Sequence, residues 1–178
     1  MQRNTAMLKL RPYRPFDAEA ILSWLDSEYT MRIWSGPRHP HFPPPLKELQ
    51  DLYEGYNTQA VNFPMVAYDE GGAVGVVTLR FLAPDEKEVR LCNILVDPAR
   101  RGSGIGRKLL TMAVDYAFGC LGAETVSLGV LDENERAIRC YRAAGFRPLP
   151  EDRWRTFTFL GRDWRCMEME SDSVPHPP

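Results

Sequence analysis

The chain has 178 residues, of which 44% are apolar and 26% are charged. This composition is typical of one globular domain and excludes an intrinsically disordered chain. The net charge of −2 gives no general attraction to nucleic acid or to an anionic membrane. No apolar run approaches the roughly 18 residues of a membrane span, and residues 1–15 lack the apolar core of a signal peptide. We therefore expect a cytoplasmic protein with no nucleic acid and no membrane as partner.

The first part of the chain predicts one strand and two helices. Alternating apolar and basic residues favour a strand around Leu8–Arg11. Asp17 is the expected N-cap of a helix over 17–25, because its carboxylate can accept a free N–H of the first turn. Five prolines in Ser35–Pro45 exclude a helix and a central strand there, and an ordered loop of this length is often functional. Residues 46–56 favour a second helix.

The middle of the chain predicts a hairpin, a third strand, a helix and a further strand. The apolar runs 64–69 and 74–82 are joined by Glu70-Gly71-Gly72-Ala73, which is a hairpin signal. The run 89–96 follows a turn at 83–87 and is apolar on both faces near its end, which indicates a central strand. Apolar residues from Ile105 to Ala117 then recur at helical spacing. Alternation over 124–130 predicts the next strand.

The last part predicts a helix and two strands. Asn134–Ala144 reads as a helix closed by Gly145, with Phe146 packing back on it. The two strands are expected around Trp154–Phe159 and Trp164–Met169.

These elements follow the order β-α-α-β-β-β-α-β-α-β-β. We find no internal repeat and no linker, which predicts a single domain of the α/β (α+β) class over residues 1–171. Residues 172–178 are expected to form a disordered tail.

The stretch VDPARRGSGIGRKLL, residues 96–110, has the glycines and arginines of a phosphate-binding loop. It is not a P-loop, because Arg107 stands where that motif has lysine and Leu109 where it has a magnesium-binding hydroxyl. Nor is it a dinucleotide fingerprint, because position 107 would have to be the third glycine. What remains is a strand, a glycine turn and a helix, whose free N–H groups from Gly102 to Arg107 and positive dipole end form an anion site. Arg100, Arg101 and Arg107 can add charge-assisted contacts.

The run Arg101-Gly102-Ser103-Gly104-Ile105-Gly106 resembles the acetyl-CoA motif of the GCN5-related N-acetyltransferase (GNAT) superfamily. Asn134 and Tyr141 stand seven residues apart, as in that family, and Ala144-Gly145-Phe146 also matches. The N-terminal half, with Leu10-Arg11-Pro12, Trp24 and Trp34, is more loosely similar to the branch of ribosomal-protein alanine acetyltransferases.

The resemblance implies a central, mostly antiparallel sheet that is splayed open between the strand of Ile94 and the strand of Val126. Acetyl-CoA would be the acyl-donor cosubstrate, with no metal. Its pantetheine arm would lie along the first of these strands and its pyrophosphate on the glycine loop, and Asn134 could bond the arm while also capping its helix. The implied cofactor-binding residues are Ile94, Leu95, Val96, Arg101, Gly102, Ser103, Gly104, Ile105, Gly106, Arg107 and Asn134. Tyr141 would be the catalytic acid that protonates the leaving thiolate.

The resemblance does not supply a general base for this chain. Some relatives use a glutamate five residues before the asparagine, and that position is Gly129 here. The candidates that remain are Glu88, His39 and His41, a chain of water molecules, or an amine that arrives already neutral. Trp34 and Phe42 could wall the acceptor pocket.

Four cysteines, Cys92, Cys120, Cys140 and Cys166, are widely spaced and lie in apolar patterns. This spacing excludes a CxxC zinc site and is typical of buried, reduced thiols.

The leading hypothesis is an acetyl-CoA-dependent N-acetyltransferase in which a primary amine, of a small molecule or a protein N-terminus, attacks the thioester directly. The alternative is a non-catalytic acyl-CoA-binding or sensing module on the same fold. A nucleotide-phosphate enzyme would need a magnesium ligand set, which we do not find. The sequence leaves open the acceptor, the choice between monomer and homodimer, and the use of acyl groups longer than acetyl.

Overall fold

The computed structural model describes residues 7–83 and 87–172, and Asp172 by its backbone alone. Asp172, predicted as the first residue of the disordered tail, is instead the last residue of a strand and pairs with Thr125. The rest of the predicted tail, 173–178, and part of the predicted turn at 83–87 lie outside the described residues. The elements are β1 Lys9–Pro12, α1 Asp17–Ser23, α2 Glu28–Ser35, α3 Leu46–Asn57, β2 Asn62–Asp69, β3 Gly72–Phe81, β4 Glu88–Val96, α4 Ile105–Gly119, β5 Thr125–Leu131, α5 Glu135–Ala143, β6 Arg147–Pro148, β7 Arg155–Phe159 and β8 Arg162–Asp172.

The strands form one mixed sheet in the order β1-β2-β3-β4-β5-β8-β6, with β7 paired to the outer part of β8. Only the β4–β5 pair is parallel among the described strands, and it spans just Glu88–Leu91 against Thr125–Leu128. Beyond these residues β4 stays paired with β3 up to Val96, and β5 stays paired with β8 up to Leu131. The sheet is therefore split between β4 and β5, as expected, because each strand keeps only its outer partner.

The sheet is covered on both faces. Helices α4 and α5 pack on one face over residues such as Val77 and Leu79. Helices α1, α2 and α3 pack on the other face over Val66 and Val76. Neighbouring residues of β3 thus belong to opposite cores, as the alternation of side chains along a strand requires. Among the described helices, none is long and apolar enough to cross a membrane.

Most predicted elements are present, but helix α2 and the two-residue strand β6 were missed. Helix α2 begins at a capping serine, Ser27, whose hydroxyl accepts a hydrogen bond from the N–H of Thr30 at 3.1 Å. Its buried residues include Met31 and Trp34, only one apolar pair at helical spacing. So short an apolar stripe is a weak signal, because helices of this length depend on tertiary packing.

The predicted N-cap role of Asp17 is wrong. The residue that caps α1 is Phe16, and it makes no side-chain capping bond. The Asp17 carboxylate instead accepts two hydrogen bonds from the Arg11 guanidinium, at 2.7 and 2.8 Å, and one from the N–H of Arg14. The carboxylate therefore ties β1 to the start of α1.

Candidate active site

A cleft of about 800 Å³ opens where β4 and β5 separate. Its wall is built from the end of β4, the glycine loop, one face of α5, the end of α2 with the turn after it, and β7. The volume lies in the range of about 300–1,000 Å³ that is usual for small-molecule and cofactor sites. The residues predicted for cofactor binding and catalysis that line it are Ile94, Leu95, Val96, Arg101, Gly102, Gly104, Gly106, Arg107, Asn134 and Tyr141.

The glycine loop leaves the start of α4 open to a ligand. Gly102 and Gly104 have φ of 78° and 82°, a left-handed conformation that favours glycine. Gly104 is the N-cap of α4 and has no side chain to accept a first-turn N–H. A Cβ at Gly106 would come within 3.1 Å of Cys140 Sγ, so this glycine lets α4 approach α5 closely. The free N–H groups and the helix dipole together suit an anion such as a phosphate.

The cleft carries positive charge near this helix start. Arg101, Arg107 and Arg136 all line it, and no described residue of the lining is Asp or Glu. Burial, and next the charge of Arg136, lowers the pKa of Arg101. Asp26 and Asp97 act on Arg101 in the opposite direction, but neither lines the cleft. A bound anion would relieve the repulsion between the arginines of the wall, so this region fits the phosphates of coenzyme A.

Two of the predicted cofactor residues, and one predicted charge contact, point away from the cleft. Ser103 Oγ donates to the carbonyl of Arg100 at 2.6 Å, and the Ile105 side chain is 8% exposed in the core. These two can contribute to the anion site only through their backbone. Arg100 is ion-paired with Asp69 and does not line the cleft.

The edge of β4 is shaped by a bulge at Asn93. This residue has φ of 52°, and the pairing of β3 with β4 shifts register beside it. Its side-chain amide donates to the carbonyl of Trp34 at 3.4 Å, and its side-chain oxygen accepts from Arg38 at 3.3 Å. Asn93 thus joins β4 to α2 just before the exposed edge that begins at Ile94.

Helix α5 brings Asn134 and Tyr141 to the cleft. Asn134 Oδ1 accepts from the N–H of Ala137 at 3.2 Å, which confirms its predicted N-cap role. Tyr141 is 9% exposed, and burial is the main reason why its pKa lies above the ordinary value of 10. Its phenol therefore stays protonated at neutral pH.

A carboxylate from another strand lies beside Gly129, the position at which the sequence resemblance implies a glutamate in some family members. Glu168 on β8 is the register partner of Gly129 and accepts two hydrogen bonds from Arg90, at 2.6 and 3.0 Å, and one from Arg155 at 2.7 Å. Burial alone would raise the pKa of Glu168, but the bonds from the two arginines outweigh it and lower the pKa. A carboxylate so paired is a weak base, and Glu168 does not line the cleft.

The other candidate bases are not in the cleft. Glu88 lies at the paired end of β4, where it accepts from the Ser127 hydroxyl. His39 is 1% exposed, with Nδ1 at 2.6 Å from Glu48 Oε1. His41 is exposed, and none of the three lines the cleft. None of the three therefore contacts the cleft in which the acceptor amine would lose its proton.

Trp34 lines the cleft as proposed, but Phe42 does not. The sequence analysis missed Arg38 and the two phenylalanines of β7, Phe157 and Phe159, which also line it. The alternation RTFTF could have flagged one face of β7, but nothing local shows that this face meets α2.

The expectation that all four cysteines are buried is wrong. Cys166 is buried, Cys92 and Cys140 are half-buried, and Cys120 is exposed, all as free thiols. Among residues 7–83 and 87–172, no group of three or more His, Cys, Asp or Glu could hold a metal ion.

The family model described as "Acetyltransferase (GNAT) family" matches residues 18–146. The chain belongs to the acetyltransferase (GNAT) family. This confirms the resemblance seen in the sequence, the fold class, and the prediction of an acetyl-CoA-dependent N-acetyltransferase.

Related proteins agree with this GNAT assignment. The chain is 28% identical to the spermidine N(1)-acetyltransferase of Escherichia coli (strain K12) over 139 residues, which cover 78% of this chain and 72% of that protein. It is 37% identical to the N-alpha-acetyltransferase RimI of Mycobacterium tuberculosis over 100 residues, 56% of this chain and 59% of RimI. A Mycobacterium leprae protein is 37% identical over 125 residues, which cover 70% of this chain but only 32% of that protein.

A solved structure shows the same fold. The spermidine N-acetyltransferase of Vibrio cholerae, in complex with CoA and spermine, superposes with a TM-score of 0.78 at 24% identity, over 92% of this chain and 94% of that one.

Proposed function

We propose that this GNAT chain acetylates the primary amine of a small molecule by direct attack of the amine on the thioester of acetyl-CoA. The observation that carries the proposal is the split between β4 and β5, because it places the glycine loop, the free edge of β4 and Tyr141 around one cleft. One site can then hold the acyl donor and admit an acceptor from the opposite side.

The cofactor is held by backbone groups and arginines. The N–H groups of Gly102 to Arg107 and the side chains of Arg101 and Arg107 would hold its phosphates. The edge of β4 at Ile94, Leu95 and Val96 lies beyond the pairing with β5 and faces the split, so its backbone could bond an amide-rich arm. The Val96 carbonyl already accepts from Arg101 Nε at 3.3 Å. Asn134, which keeps its cap, would use the rest of its side-chain amide toward the same arm.

Acetyl-CoA supplies the thioester carbonyl. The reaction also needs a proton for the departing sulfur and the loss of a proton from the acceptor amine. Tyr141 holds a proton on its phenol and would donate it toward the departing sulfur. No described carboxylate or histidine lines the cleft to take the proton of the amine. The arginines of the cleft would instead disfavour the ammonium form of the acceptor, so that its proton passes to water.

The names of relatives support an amine acceptor of two kinds. Two are named as acetyltransferases for spermidine and for an N-terminal α-amine, so a protein N-terminus is the second candidate. A single catalytic domain over 1–171, a cytoplasmic location, and a monomer or homodimer stay predictions.

Replacing Tyr141 tests the mechanism. We expect Tyr141→Phe to lower kcat at saturating acetyl-CoA by about 10²–10⁴-fold, the usual contribution of a general acid, and to leave the Kd for CoA nearly unchanged. Thiol release and calorimetric CoA binding measure the two quantities.

The matched control is Tyr116→Phe, which removes the same atom from a tyrosine outside the cleft and should retain kcat. A Tyr141→Phe protein with unchanged kcat would remove this residue from catalysis. Tight CoA binding without turnover of any amine by the unmodified protein would favour the binding-module alternative.

A further inference from the structure

The acceptor end of the cleft is positively charged. It is formed by Trp34 and Arg38, from α2 and the turn after it, together with Phe157 and Phe159 of β7. Asn93 at the β4 bulge donates to the Trp34 carbonyl and accepts from Arg38, which holds the end of α2 and the turn after it beside β4. An acceptor entering from this side meets a guanidinium and aromatic rings.

Arg32 and Arg38, the two arginines on this side, differ in their bonding. Arg32 donates to the carbonyls of His39 and Pro40 and to the carboxylate of Glu28. Arg38 is exposed, donates at 3.3 Å to the neutral side chain of Asn93, and lies 5.9 Å from the ring centre of Tyr56. It forms no ion pair with a carboxylate among the described residues. Arg38 is therefore the cation that can still bind an anion.

The described lining of the cleft gives a polycation no carboxylate to pair with. This described lining includes six arginines and neither Asp nor Glu. A polyamine that is acetylated at one end would place its other ammonium groups near arginine side chains. The described lining has no carboxylate to pair with them. Such an unpaired charge is costly to take out of water, so spermidine, which the Escherichia coli relative's name specifies, fits this cleft poorly.

We propose that the acceptor is a small primary amine that carries a carboxylate and an apolar or aromatic body, and that Arg38 binds the carboxylate. The planar guanidinium can donate two parallel hydrogen bonds to a carboxylate, while Trp34, Phe157 and Phe159 contact the body. The inference rests on the proposed N-acetyltransferase function. It assigns the class of acceptor and the residue that binds the acceptor's carboxylate.

Matched acceptor pairs test the inference. Phenylalanine and phenethylamine differ only in the carboxylate, and spermidine represents the polycations. In a thiol-release assay with purified full-length protein, we expect kcat/KM for phenylalanine to exceed that for phenethylamine by about 10- to 100-fold, the fold-change for one hydrogen bond between charged groups. Spermidine should be the poorest acceptor.

Substitution of Arg38 tests the assigned residue. Arg38→Gln should lower the ratio of kcat/KM for phenylalanine to kcat/KM for phenethylamine toward one, mainly by raising KM for phenylalanine, and Arg38→Lys should restore part of this ratio. The control Lys47→Gln removes one positive charge from an exposed residue outside the cleft and should keep the preference.

Equal or better use of phenethylamine or spermidine would overturn the inference and leave the N-acetyltransferase function standing. So would turnover of a peptide N-terminus in preference to phenylalanine. If Arg38→Gln lowered kcat/KM equally for phenylalanine and phenethylamine, Arg38 would not be the specificity residue. No turnover of any amine would overturn the proposed function as well.

Discussion

Gly129 lies on β5 against Arg90 and Cys166, and substituting it gives a calculable result. A Cβ at this position would lie 2.6 Å from Arg90 Nη2 and 2.8 Å from Cys166 Sγ. The Arg90 guanidinium cannot swing away freely, because both of its terminal nitrogens donate to the buried carboxylate of Glu168. We therefore expect Gly129→Ala to destabilise the protein even though it adds a single methyl group.

The magnitude follows from two opposing effects. Overpacking a well-packed site typically costs about 1–3 kcal/mol, while alanine in a strand interior recovers about 0.5–1 kcal/mol relative to glycine. The mid-range values give a net loss for Gly129→Ala of about 1.2 kcal/mol, or roughly 2–5 °C in Tm for a domain of this size. Urea unfolding and thermal melts followed by circular dichroism measure both quantities.

The reasoning also predicts which second substitution relieves the strain. Removing the sulfur with Cys166→Ala should reduce the cost of Gly129→Ala by about 0.5 kcal/mol or more, a coupling typical of residues in contact. Cys120→Ala, at an exposed cysteine, is the control and should show no coupling. An unchanged or raised Tm for Gly129→Ala would refute the steric reasoning. So would an equal loss of stability from Gly129→Ala in the unmodified protein and in the Cys166→Ala variant.

Two further predictions concern Asn134 and Glu168. Asn134→Ala should lower the free energy of unfolding by about 1 kcal/mol, because the N-cap bond is lost, and should raise KM for acetyl-CoA. Asn134→Asp should keep the cap. An unaltered KM in the alanine variant would show that Asn134 acts only as a cap. The folded-state pKa of Glu168 is lowered, so its contribution to stability should be fully present above its ordinary pKa of 4.5 and be lost as the pH falls through the lower folded value. Unfolding free energies from pH 6 downwards should therefore fall less steeply for Glu168→Gln, and parallel curves for the two proteins would contradict this.

The sequence was sufficient for the donor side of the site. The glycine loop, the strand before it and the Asn134–Tyr141 spacing are local patterns, and their predicted positions around one cleft agree with the structure. Each depends on backbone conformation within a few residues, such as the positive φ of Gly104, and so leaves a signature in sequence order.

The acceptor side could not be predicted in the same way. Helix α2 was missed because its stability comes from packing Met31 and Trp34 rather than from its own pattern. His39 was predicted as a candidate base, yet it is buried against Trp34, with ring centres 6.1 Å apart. Both errors arise because burial depends on which distant elements meet.

Residue types and spacing were enough to predict the family, which the family model confirms, and to indicate the proposed anion site and the proposed acid on α5, because backbone geometry and helix capping act over short stretches of chain. Tertiary structure alone decided the chemistry of the acceptor side. Arg38 bonds Asn93 from 55 residues away, and Arg90 pairs with Glu168 across 78 residues to fill the space beside Gly129. Electrostatic pairing and steric exclusion act through space, so which charge remains free in the cleft is set only when the strands and helices have come together.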